Sequence, residues 1–163
     1  MDINKDVLKD ALKYIPVKVL PALAGLVTIF LLTKSFTPDT YVNYSFIIAS
    51  LLVIMQFSGG WINSTVIYFY PIFKSKVGEG NLVNNICFIQ ILFTIAGVIT
   101  LFSVIVLDSG DIKIGVVSSI ILILQLYLNI KYSFFQAKRE IKKQVFSTSL
   151  QAVVQIIVVI ISF

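Results

Sequence analysis

The sequence predicts an all-α polytopic membrane bundle, and three observations predict it. Hydrophobic residues make up 58% of the chain and charged residues only 13%. A soluble domain carries closer to a quarter charged residues. The apolar residues fall into five long runs, more than a water-soluble core of 163 residues could hide. Finally, eleven of the thirteen basic residues sit in every second gap between the runs. Lys5, Lys9, Lys13 and Lys18 precede or enter the first run, and Lys74 and Lys76 follow the second. Lys131, Lys138, Arg139, Lys142 and Lys143 surround the end of the fourth. The other gaps hold only Lys34 and Lys113, each near an acid. Lys and Arg accumulate in short cytoplasmic loops, so the pattern predicts a cytoplasmic N-terminus and an outward end for the fifth run.

The elements follow in order. Residues 1–13 read as an interfacial segment, because Ile3, Val7, Leu8, Ala11 and Leu12 recur at helical spacing opposite Lys and Asp. The first span is predicted over 14–33, with Pro16 and Pro21 loosening its first turns. About twenty residues at ~1.5 Å rise match a hydrocarbon core of roughly 30 Å. No small-residue cleavage site ends this run, so it reads as an uncleaved helix and not a signal peptide. Pro38 stops it, and Asp39 or Thr40 caps the next.

The second run, 41–73, contains no charge over 33 residues. That is about 50 Å of helix, longer than a bilayer is thick. Ser58-Gly59-Gly60 lies mid-run and predicts a kink. One long bent helix keeps Lys74 and Lys76 on the same side as the N-terminus; a hairpin would reverse that charge logic. The polar stretch 74–81 is an inner loop, and the remaining spans are predicted over 82–107, 114–136 and 145–163. The fifth run ends without a polar tail, which predicts an N-terminal part of something longer.

The runs are not apolar all round. Lys18, Ala22 and Gly25 share a face of the first span, and Gln56, Gly59, Gly60 and Asn63 share one of the second. Gln90, Thr94 and Gly97 do so in the third. Ser118, Gln125, Asn129, Tyr132 and Gln136 form a stripe in the fourth, and Gln144, Ser147, Gln151 and Gln155 in the fifth. Small and amide side chains pack helices together in lipid. They also suit a hydrated cavity through which polar cargo passes, and the two readings are compatible. Lys18 either snorkels to the surface or faces the bundle and meets an anionic group.

Several chemistries are excluded. The chain has no histidine, so histidine-based metal sites and triads are absent, and its single cysteine, Cys87, forms no internal disulfide. No nucleophile elbow or Walker A motif occurs. No acidic residue lies within a predicted span, so no proton relay or carboxylate cation site is evident. The chain reads as a non-enzyme with no cofactor. Its net charge of +5 is segregated into loops, which points to anionic lipid and not to nucleic acid.

Three stretches carry a resemblance across the chain. They are Leu12-Lys-Tyr-Ile-Pro-Val-Lys-Val-Leu-Pro-Ala-Leu-Ala-Gly25, Thr37-Pro-Asp-Thr-Tyr-Val-Asn-Tyr44 with Phe57-Ser-Gly-Gly60, and Phe134-Phe-Gln-Ala-Lys-Arg-Glu-Ile-Lys-Lys143. Together they resemble the N-terminal part of the polysaccharide-biosynthesis (O-antigen and capsule repeat-unit) flippases, a branch of the multidrug/oligosaccharidyl-lipid/polysaccharide exporter superfamily. The chain departs from that pattern where Val42 or Asn43 replaces a usual glycine, and in having fewer helices than the family's two pseudo-symmetric halves. The resemblance implies a bacterial-type plasma membrane protein that moves lipid-pyrophosphate-linked saccharides between leaflets. It implies a bundle completed by further C-terminal helices or a second copy. Lys18 is then the candidate phosphate contact, and Gln56, Asn63, Gln125 and Asn129 are the candidate sugar contacts. A drug exporter of the same superfamily and a non-transporting membrane scaffold are the alternatives.

Overall fold

Six α-helices account for nearly every residue of the computed structural model. It describes the backbone of residues 3–161 and the side chains of residues 15, 17–74, 78–158 and 160. The helices are α1 (Ile3–Ser35), α2 (Pro38–Met55), α3 (Trp61–Val77), α4 (Glu79–Ser109), α5 (Ile112–Ala137) and α6 (Ile141–Ile161). No strand occurs among the described residues. Among the described residues, four stretches are long and apolar enough to cross a membrane: Val17–Ser35, Pro38–Lys74, Glu79–Ser109 and Ile112–Ala137. The molecule is therefore a helical membrane bundle.

Two long helical stretches span features read from the sequence. α1 is one helix of 33 residues that runs from the predicted interfacial segment into the first span. The helix continues through Pro16 and Pro21, each of which leaves the carbonyl four residues earlier without its N–H donor. The amphipathic face of residues 1–13 lies outside the described side chains. The second long run is α2 and α3 joined by a π-helical turn, Gln56–Gly60, without an intervening loop. The wide turn takes up the Ser58-Gly59-Gly60 step that the sequence marks as a kink.

Two of the short connections rely on glycine. Gly78 (φ 84°) begins α4, and Gly110 (φ 67°) closes it by donating its N–H to the Val106 carbonyl. Both conformations are left-handed, where a Cβ is strained. Asp111 then caps α5 by accepting from the Lys113 N–H at 2.8 Å. After α5, Arg139 adopts φ 56° without being glycine.

The helices fall into two units. In one, α1 packs along α6. Val17, Ala24, Thr28 and Leu32 form the buried face of α1, and Gln144, Thr148 and Ala152 that of α6. Gln155 Nε2 donates to Thr28 Oγ1 across the pair at 3.2 Å, while Thr28 donates to the Ala24 carbonyl. The second unit, Asn43–Lys138, holds most of α2 with α3, α4 and α5. Two apolar clusters form its core. One gathers Leu51, Leu101, Ile105, Leu122 and Leu126. The other gathers Ile62, Val66, Tyr70 and Ile130.

Candidate functional site

Between these two apolar clusters lies a layer of small and polar groups, fixed by the π-turn. Ser58 and Gly59 are buried there, with Gln90 and Gly97 of α4 against them. A Cβ built on Gly59 would stand 2.6 Å from Leu126 Cδ2, and one on Gly97 only 2.2 Å from Ser58 Oγ. Both are far inside contact distance, so a side chain at either position would have to displace Leu126 or Ser58. The Ser58 carbonyl, within the π-turn, accepts from Gln90 Nε2 at 3.4 Å. The same amide nitrogen reaches Thr94 Oγ1 at 3.3 Å, and Thr94 donates to the Gln90 carbonyl at 2.7 Å. Gln90 Oε1 is buried with no hydrogen-bond partner among the described residues, and so is Asn63 Oδ1. Unmatched acceptors are costly in an apolar interior, and most buried polar atoms have partners.

The five sequence candidates are placed unevenly. Asn129, on α5, donates from Nδ2 to Met55 Sδ at 3.4 Å, which brings it beside the end of α2 and next in sequence to Gln56. Gln125, one turn earlier on α5, is half-buried, as is Asn63. Gln56 is exposed; a Cβ added at Gly60 would meet its amide at 2.4 Å, so its side chain folds back over that glycine. Lys18 is exposed and belongs to the α1–α6 unit. The face that α1 packs runs through Val17, Ala24, Thr28 and Leu32, so the expected Lys18–Ala22–Gly25 stripe is displaced from it by one position. Ala24, fully buried, lets the helices approach, and the Thr28–Gln155 bond fixes that register.

A groove of about 540 Å³ runs along α4 and α5, lined by Cys87, Gln90, Thr94, Ile95, Tyr127 and Ile130 among others. Its walls are nearly all apolar, with Gln90 and Thr94 the polar exceptions. A second pocket of about 370 Å³ opens at the α4–α5 turn, where Asn43, Asp108, Ser109 and Asp111 meet Phe46, Ile47, Ile105 and Ile114.

Sequence reasoning saw Gln90 and Thr94 as a stripe but did not place them at a site. It missed a polar cluster at the far end of the unit altogether. Tyr70 of α3 donates to Glu79 Oε1 at 2.5 Å, and Lys138 pairs with that same oxygen at 2.7 Å. Lys74 takes Glu79 Oε2 at 3.0 Å. Both ammonium groups also lie over the Tyr70 ring, 5.8 Å from its centroid for Lys74 and 5.7 Å for Lys138. Phe134 supports that ring edge-on at 5.6 Å. Lys138, one residue beyond α5, is held above the ordinary lysine range by its bond to Glu79, against the opposing effect of burial. A signal was available, because Glu79 is the one acid between Asp39 and Asp108 and lies among lysines.

No family model, curated protein or solved structure matches the chain.

Proposed function

We propose that this protein moves lipid-linked saccharide units across a membrane for surface polysaccharide synthesis, working within a larger helical assembly. The observation that carries the reading is the polar layer around the π-turn, set inside helices that are otherwise apolar. Amide and hydroxyl groups at that depth are expensive in lipid and are kept where a polar path or a helix interface needs them. Gln90 and Asn63 hold acceptors that no described residue satisfies, and sugar hydroxyls are donors of the right kind. The apolar groove along α4 and α5 suits a hydrocarbon tail kept within the bilayer. Asn129, Gln125, Asn63 and Gln56, all within the Asn43–Lys138 unit, are the sugar contacts of this reading. The bacterial-type plasma membrane with a cytoplasmic N-terminus, and α6 as a fifth span, belong to this same proposal.

The groove also favours a second reading, export of apolar small molecules, because its walls offer little to a polar cargo. One experiment separates them. The full-length protein is reconstituted into vesicles with a fluorescent polyprenyl-pyrophosphate-linked oligosaccharide in the inner leaflet. An impermeant glycan-directed quencher should reach that label faster than in protein-free vesicles. Equal rates sink the saccharide reading, and accelerated efflux of an apolar dye in the same vesicles would favour the second one.

A further inference from the structure

We propose that Glu79 is the pin of a latch that holds one end of α3, α4 and α5 together, and that α3 pivots about the π-turn when the latch is released. The geometry has two parts. At the latch, one carboxylate collects three partners from three different places: Tyr70 within α3, Lys74 near its end, and Lys138 just past α5. Its own position is the first residue of α4. Removing that single negative charge leaves Lys74 and Lys138 facing the same tyrosine ring with no anion between them. Like charges at that range repel. The helix ends then separate unless apolar contact alone holds them.

The fulcrum is the other part. Tyr70 lies ten residues beyond Gly60, about 15 Å along α3. The π-turn interrupts the regular hydrogen-bond ladder where α3 begins, and π-turns recur at functional sites. Gly59 and Gly97 let Leu126 of α5 close on the turn and Ser58 of the turn close on α4, which makes this point the fulcrum of the proposed motion. Interfaces of this kind are bistable and not continuously deformable. Trp61, edge-on to Phe93 of α4 at 5.0 Å, also stays on the fulcrum side.

Val83, one turn past Glu79 on α4, is half-buried against the cluster that Ile62, Val66 and Tyr70 of α3 form with Ile130. Val83→Cys in a Cys87→Ala background therefore places a reporter where α3 covers α4. The experiment is modification of that cysteine by a membrane-impermeant maleimide, with the full chain in nanodiscs that leave both faces open. Glu79→Gln and Lys138→Gln should each raise the rate at least tenfold, and Tyr70→Phe should raise it less. The double variant Glu79→Gln with Lys138→Gln should label no more than about threefold faster than the faster single variant, because both changes remove the same ion pair. A second reporter, Ser109→Cys in the same Cys87→Ala background, should hold steady or slow in the Glu79→Gln variant, because it sits at the opposite end of α4. Parent-like labelling of the Val83→Cys reporter in both single variants overturns the latch, as do single-variant effects that multiply in the double variant. A rise at both reporters also overturns it, since that is general loosening. Lys138→Gln lies at an exposed helix end and keeps the test available if Glu79→Gln fails to fold. The latch rests on the transporter reading only for its purpose. If the Val83→Cys reporter opens while lipid-linked saccharide stays still, the latch stands and the cargo reading falls.

Discussion

At Gly97 a single methyl group decides how closely two helices approach. Its added Cβ would fall 2.2 Å from Ser58 Oγ and 3.1 Å from Ser58 Cβ. Overpacking of this kind costs about 1–3 kcal/mol. Gly97→Ala should therefore lower the thermal midpoint, and adding Ser58→Gly should recover most of the loss, because it removes both contacted atoms. Circular dichroism melts in detergent check both steps, and a pair of losses that merely add would refute the contact. Gln90 is a different case. Its two bonds are long, at 3.3 and 3.4 Å, and its Oε1 has no described partner. Replacing both partners of a buried bond by apolar groups is nearly neutral, whereas Gln90→Leu leaves the Ser58 carbonyl without its donor. Gln90→Leu should thus destabilise the fold by about 1–3 kcal/mol, read as a lower melting midpoint. If Gln90 contacts cargo, the same variant slows label movement in the vesicle assay. Residues such as these mark the limit of the sequence. The Gln90–Thr94–Gly97 spacing placed them on one helix face, yet nothing in the spacing said that Ser58 of another helix would meet them.

At the scale of elements, the pairing of α1 with α6 depends on small residues. Ala24 is fully buried where the two helices touch, and Thr28 receives Gln155 one turn along. Interhelical hydrogen bonds in membranes average about 0.6 kcal/mol, so Gln155→Leu should weaken the pair only slightly. Ala24→Leu should do much more, by the roughly 1–3 kcal/mol of overpacking. Comparing the two melts decides whether packing or polarity holds these helices. The helices were legible because each is a long apolar run bounded by proline, glycine or charge. The packed face of α1 was not. Lys18, Ala22 and Gly25 look like a stripe in isolation, but Val17, Ala24, Thr28 and Leu32 face the partner. A periodicity gives the faces of a helix without saying which one its neighbour takes. The continuity of α1 through Pro16 and Pro21 has a similar cause, since proline loosens a turn without obliging the chain to leave the helix.

For the whole molecule, the alternating basic gaps predict a topology that can be measured. Cysteines placed singly at Thr40 and Ser109, in a Cys87→Ala background, should react from the outer side of oriented vesicles. One at Gly80 should react from the inner side. The Gly80 cysteine reacting on the same side as the Ser109 cysteine would overturn the orientation. The division into two units was not legible beforehand, because it depends on α6 returning to α1 from more than a hundred residues away in sequence. The Tyr70–Glu79–Lys138 cluster escaped notice for a related reason. Its members lie on α3, at the start of α4 and just past α5, so no local pattern brings them together.

Arg139 remains, a bulky cation in the left-handed conformation just past α5. A left-handed backbone costs a residue with a Cβ roughly 1–2 kcal/mol that glycine avoids. Arg139→Gly should therefore make the purified protein more heat-resistant. The same change removes one positive charge from the densest basic gap in the chain. Such charges are read while the nascent chain is being threaded into the bilayer, before any tertiary fold exists. A variant optimised for crystallisation at this position would be sturdier in detergent but would carry a weaker charge signal at that gap.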